Sequence, residues 1–186
     1  IDSIYSQTYT NWEIIFWDNC STDRSAEIAL SYDKRLRYFK STTDVPIPIY
    51  EAKSLAVQKV SGEFIAFLDC DDWWESSKLE KQVPLFDNPN VGFVFGNYWL
   101  ENEKKGTREI VSQKVQSSNN ILDDLLQNYK IGLLTLVIRS LAYEQLDRGF
   151  DPKFTIMGDY DVVLRLSAIW EADFVQEPIA HYRWHG

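Results

Sequence analysis

Short apolar runs alternate with amphipathic stretches along the first half of this chain. The plainest run, Phe64-Ile65-Ala66-Phe67-Leu68, has no polar partner on either side of the pleat. Such a run reads as a strand buried on both faces. Glu13-Ile14-Ile15-Phe16-Trp17 reads the same way, and Leu36-Arg37-Tyr38-Phe39 predicts a shorter strand. Between them, Ser21 or Thr22 is placed to cap a helix through Ala26, Ala29 and Leu30. Val45-Pro46-Ile47-Pro48 is a stiff connection, because each proline fixes φ and removes a donor. A helix through Ala52, Leu55, Ala56 and Val60 follows, stopped by Gly62. Strand-helix-strand-helix-strand order implies right-handed crossovers and a mainly parallel sheet.

The second half has longer spacings. Ser77 and Glu80 have capping-box spacing at the start of a helix. Val91 to Trp99 predicts a strand, Glu101 to Gly106 a polar turn, and Arg108 to Val115 its hairpin partner. Asn120 and Asp123 are positioned to cap a helix with Leu122, Leu125, Leu126 and Tyr129 on one face. Leu133 to Ile138 predicts a strand, Gly158 to Trp170 a helix, and Ile179 to Trp184 a final strand. Asp161 and Arg165 stand at i,i+4 and are expected to pair.

Bulk properties narrow the picture. The 186 residues suffice for one domain with a core, and no repeat, low-complexity tract or linker interrupts them. The net charge of −9 argues against binding a polyanion such as nucleic acid. A small phosphorylated substrate stays open, since a bound metal inverts the local field. Two cysteines, Cys20 and Cys70, exclude a disulfide framework or a four-thiolate zinc site, and two histidines exclude a histidine-rich one. No run approaches the ~18 apolar residues of a membrane span, and no signal peptide is visible. The cytoplasm is the expected compartment, with peripheral placement at the inner face of the membrane as its variant.

Two strand ends carry carboxylates. Asp18 follows the first strand, and Asp69, Asp71 and Asp72 follow Phe64 to Leu68. In a parallel sheet both ends fall on the carboxyl edge, where open α/β folds bind ligands. Caps and turns account for isolated Asp residues. Three carboxylates in four positions call for a cation instead, and a divalent metal holding a phosphorylated ligand meets that need.

At these residues the chain resembles glycosyltransferase family 2, with its GT-A fold. Ser6-Gln7-Thr8-Tyr9-Thr10-Asn11-Trp12-Glu13-Ile14-Ile15 and Asp18-Asn19-Cys20-Ser21-Thr22-Asp23 match the family's first block, with Asn19-Cys20 in place of Asp-Gly. Gly62 to Asp72 matches its DxD strand, Asp159 to Arg165 its "EDYDLWLR" helix, and Tyr182 to Gly186 its "YRxHG" ending. The resemblance implies an α/β GT-A (Rossmann-like) domain over 1–186. Its mostly parallel sheet would be flanked by helices, with a small antiparallel C-terminal part. Residues 1–75 would form the nucleotide-binding half and 76–186 the acceptor half.

The implied reaction is inverting transfer of a sugar from a nucleotide-diphosphate sugar, with a UDP-sugar the favoured donor, to a hydroxyl of a glycan or lipid-linked acceptor. Asp18 would accept a hydrogen bond from the nucleotide base. Asp69 would lie beside the ribose or diphosphate, with Lys53 where the family often has Arg. Asp71 would ligate Mg²⁺ or Mn²⁺, and His185 would approach the same metal or the diphosphate. Asp159 would be the general base, preceded by Gly158 where Glu is common. Trp73 and Trp74 offer one sugar platform and one core residue. Family members open on a strand that lies centrally between those ending here at Asp18 and Asp69. This chain begins in the following helix, at Ile1 to Tyr5, so the expectation is a fragment lacking that strand. A competing reading is a non-catalytic or degenerate sugar-nucleotide-binding module. A nucleotidyltransferase would need a Gly-rich, basic phosphate loop, which the sequence lacks.

Overall fold

The computed structural model describes residues 1–112 and 121–185. The end of the expected return strand at 113–115, the Asn120 cap and Gly186 lie outside the described residues.

A short helix, α1 (Asp2–Tyr5), leads into β1 (Ile14–Asp18), α2 (Ser25–Leu30), β2 (Leu36–Lys40), α3 (Ile49–Val57) and β3 (Phe64–Ala66). The second half holds β4 (Trp73–Trp74), α4 (Lys78–Gln82), β5 (Val91–Asn102), β6 (Thr107–Val111), α5 (Leu122–Gln127), β7 (Val137–Arg139), α6 (Ser140–Glu144), α7 (Gly158–Ser167) and β8 (Glu171–Trp184). β1 and β2 pair in parallel as a separate two-stranded sheet. The other strands form one sheet in the order β3-β7-β5-β8-β4, with β6 on the far half of β5.

That sheet corrects the expectation of a mostly parallel one. The β3–β7, β7–β5, β5–β6 and β4–β8 pairs are antiparallel, and among the described residues of this sheet only β5–β8 is parallel. Apolar runs report that a strand is buried but carry no record of its partner's direction. β1 and β3 do not pair, and among the described residues no strand lies between them. A cleft of about 1020 Å³ separates their edges, lined by Ile14 and Phe16 on one side and Phe64 and Ala66 on the other.

Several local expectations change. Ser21 and Thr22 do not cap α2; Asp23 instead accepts from the Ser25 N–H at 2.9 Å. Ser77 and Glu80 form no capping box, and Glu80 takes the Thr8 hydroxyl at 2.6 Å. The open end of α4 is served by Gln7, whose Oε1 accepts from the Leu79 N–H at 3.1 Å. α3 ends at Val57, before Val60 and Gly62. Leu133 to Thr135 is a 3-10 turn, and strand begins only at Val137. In α5, Leu125 is buried while Leu126 is exposed.

The main core lies where α5, α6 and α7 cover the sheet, with Phe93, Phe95, Ile138, Val162 and Leu166 fully enclosed. Burying each such side chain contributes roughly 1.5–3 kcal/mol. The Asp161–Arg165 pair forms at 2.6 Å, and Arg165 also donates to the carbonyls of Arg148 and Gly149. It thus ties α7 to the loop before it. Among the described residues no helix is long and apolar enough to cross a membrane.

Candidate active site

The acidic turn after β3 is built from chain that leaves the sheet early. β3 ends at Ala66, so Phe67 and Leu68 carry the backbone to the rim and Asp69 to Asp72 turn there into β4. The Lys53 ammonium reaches in from α3 and meets Asp69 Oδ1 at 2.6 Å. The Lys53 side chain is 13% exposed and that of Asp69 53%, so this pair stands at the cleft mouth with one face to solvent.

Two residues on, Asp71 Oδ2 lies 3.0 Å from His185 Nε2 at the end of β8. Glu103 Oε2 stands 3.4 Å from the other ring nitrogen, and Glu103 also takes the Arg183 guanidinium at 2.9 Å. Asp72 turns inward and accepts the Arg183 N–H at 2.8 Å. Burial, with the charges of Asp71 and Asp69 behind it, pushes the Asp72 carboxyl up to about 6. The three carboxylates therefore divide the work: one meets a lysine, one meets a histidine, and one holds β8 in place.

Among the described residues no group of three or more His, Cys, Asp or Glu is arranged to hold a metal ion. Asp71 and His185 offer one carboxylate oxygen and one imidazole nitrogen, both half-exposed and already in contact. Magnesium-type sites commonly take one or two protein groups and complete their shell with phosphate oxygens and water. The donor pair fits that pattern.

Asp159 sits in the first turn of α7, where the helix N-terminus favours a carboxylate. It accepts from the Tyr50 hydroxyl at 3.3 Å, and Tyr50 lies on α3, three residues before Lys53. One face of α3 thus touches both Asp159 and Asp69. Tyr98 on β5 lies within reach of two acidic groups: burial raises its phenol pKa, and the charges of Tyr182, Asp159 and Asp72 add to that.

Asp18 occupies a separate corner and is 2% exposed. Its Oδ1 accepts the Ser21 N–H at 2.7 Å and its Oδ2 the Tyr38 hydroxyl. Burial pushes its pKa up, but these hydrogen bonds outweigh it and the net shift is downward. The next residue, Asn19, clamps the proline linker, donating to Ile47 O at 2.9 Å and accepting from Ile47 N at 3.1 Å. Cys20 follows in the left-handed region at φ 68°.

The two tryptophans separate as expected in part. Trp74 is core, 6% exposed, with its indole N–H on Leu134 O at 2.8 Å. Trp73 is stacked on His181 with ring centroids 4.8 Å apart, so that face is not open to a sugar. Sequence reasoning missed Tyr50. Its spacing from Lys53 was the available signal, since i and i+3 share a helix face.

The family model described as Glycosyl transferase family 2 matches residues 1–146. That segment contains Asp18, Lys53, Asp69 and Asp71; Asp159 and His185 lie beyond it. The chain is 35% identical over 139 residues to the UDP-Glc:alpha-D-GlcNAc-diphosphoundecaprenol beta-1,3-glucosyltransferase WfgD of Escherichia coli, covering 74% of this chain and 53% of WfgD. It is 28% identical over 191 residues to an uncharacterized glycosyltransferase of Rickettsia typhi, covering 100% of this chain and 58% of that protein. The chain thus spans little more than half the length of these relatives. Among solved structures, S. aureus TarS 1–349 in complex with UDP superposes with a TM-score of 0.74 at 16% identity, over 98% of this chain and 55% of that one. This likeness establishes an α/β, GT-A-like fold.

Proposed function

The chain belongs to glycosyl transferase family 2, and from that premise we propose that it transfers a sugar from a nucleotide-diphosphate sugar to an acceptor hydroxyl with inversion. The observation that carries the reading is the meeting of predicted residues at one rim. Lys53 pairs with Asp69, Asp71 pairs with His185, and α3 links that corner to Asp159.

In this reading the Lys53 ammonium offsets diphosphate charge and Asp69 lies beside the ribose or diphosphate. Lys53 acts as a point charge without the fork of an arginine. Asp71 and His185 would hold Mg²⁺ or Mn²⁺, which when bound supplies Lewis-acid stabilisation of the departing nucleoside diphosphate. Asp159 takes the acceptor's hydroxyl proton as the oxygen attacks the anomeric carbon from the opposite face. Asp18 organises the nucleoside corner through Ser21 and Tyr38, and uses its remaining lone pairs for the base. Residues 1–75 serve the nucleotide and 76–186 the acceptor, with His185 reaching back to the diphosphate corner.

WfgD is named for a UDP-glucose donor and a lipid diphosphate acceptor, and TarS was crystallised with UDP and with UDP-GlcNAc. These support a UDP-sugar donor and a lipid-linked or polysaccharide acceptor here. Such an acceptor would bring the protein to the inner face of the membrane. The test is Asp159→Asn in the intact protein. Turnover should fall by at least about a hundredfold with nucleotide-sugar affinity retained. Unaltered turnover would remove Asp159 as the base.

A further inference from the structure

The ground beneath Asp159 is unusual in what it leaves out. Residue 158 is glycine, and a Cβ there would lie 2.7 Å from Cδ2 and Cε2 of Tyr50 and 2.8 Å from its Cζ. Contacts under 3.0 Å with a ring require the ring to move. Tyr50 has little room to do so. It is 8% exposed and stacked on Phe150 at 5.6 Å, with Phe67 edge-on to Phe150 at 5.2 Å. The bare backbone of Gly158 therefore admits the phenol, whose hydroxyl then donates to Asp159 Oδ1.

From this geometry we propose that Tyr50 is the positioning residue of Asp159, and that Gly158 is the space that lets it dock. The proposal rests on Asp159 being the base. A carboxylate in the first turn of a helix has free rotamers; a donor fixed by aromatic packing on another helix selects one of them. Two further phenols feel the Asp159 charge. The Tyr129 hydroxyl is buried, and its pKa is raised by burial and then by the Asp159 charge. Tyr98 responds to the same charge from β5. Because Lys53 shares α3 with Tyr50, one helix sets both the base and the diphosphate corner, and a shift of α3 would misplace them together.

The test is steady-state kinetics of transfer by the intact protein. Tyr50→Phe keeps the ring and removes only the hydroxyl. We expect kcat to fall about tenfold and KM for the nucleotide sugar to change less than about twofold. Gly158→Ala, which displaces the same ring, should reproduce that split between kcat and KM, and Tyr50→Phe/Gly158→Ala should be no worse than Gly158→Ala alone. Unaltered kcat in Tyr50→Phe, or a loss carried by KM instead, overturns the proposal. Asp159→Asn separates the two levels. Retained turnover there overturns the base itself, whereas lost turnover there beside an unaltered kcat in Tyr50→Phe overturns only the role of Tyr50.

Discussion

Lys78 opens α4 just past the acidic turn, yet it is 0% exposed. Among the described residues its ammonium has no hydrogen-bond partner, and it lies 4.1 Å from the centre of the Trp74 ring. Burial pulls its pKa from 10.5 down to about 7. A drop of that size corresponds to about 5 kcal/mol against the folded state at or below neutral pH. The Trp74 face returns about 1–2 kcal/mol of this to the charged form. Lys78→Met keeps an unbranched chain of similar length and removes the charge. We expect it to stabilise the fold by about 2–4 kcal/mol at pH 7. The sign with pH follows from proton counts. Between about 7 and 10.5 the unfolded chain holds a proton on Lys78 that the folded chain has lost, so the wild type gains stability as pH rises through that window. The advantage of Lys78→Met should therefore shrink from pH 7 to pH 10 and be flat below 7. Urea unfolding of both proteins at each pH measures it. An advantage that is absent, or that does not change with pH, refutes the reasoning.

Two further substitutions test local parts of the account. Gln7 is 5% exposed, donates to Glu75 O at 2.8 Å and accepts from Leu79 N, so Gln7→Leu orphans buried backbone groups and should cost about 2–3 kcal/mol in urea unfolding. Cys20 holds a left-handed φ of 68°, and Cys20→Gly should raise stability by about 0.5–1 kcal/mol even with the loss of the thiol contact to Thr43 O. A lower melting temperature for Cys20→Gly would count against strain at that turn.

Much of the first half was legible because its strands and helices are bounded by local signals. Ile14 to Asp18, Leu36 to Lys40 and the start of α3 after Pro48 fall where pattern and punctuation put them. β8 was only half visible. Its first part, Glu171 to Pro178, mixes acidic residues and a proline into the strand, and it holds β5 through register shifts around Gly96 and Asn97. Pairing across a bulge leaves no period-2 trace in the sequence. Leu133 to Thr135 has the composition of a strand, but Gly132 O collects both the Thr135 N–H and its hydroxyl and closes a turn instead. At the site, residue types announced Asp69 and Asp71, and the family resemblance pointed to Asp159, Lys53 and His185. Their pairing was not encoded locally, because Lys53–Asp69 spans a helix-to-strand crossover and Asp71–His185 joins residues 114 apart. Tyr50 was hidden for the same reason: its significance lies in a glycine 108 positions away, across the fold.

The claim that Asp69, Asp71, Lys53 and His185 form a metal-assisted diphosphate corner is tested most directly by calorimetry. UDP is titrated into the wild type and Asp71→Asn, each with Mn²⁺ and with a chelator. Loss of even an outer-shell partner typically costs at least about tenfold in metal affinity. The wild type should therefore bind UDP at least about tenfold more tightly with Mn²⁺ than with chelator, and Asp71→Asn should lose that difference. Equal UDP affinity in Mn²⁺ and chelator, unaltered by Asp71→Asn, would contradict the account.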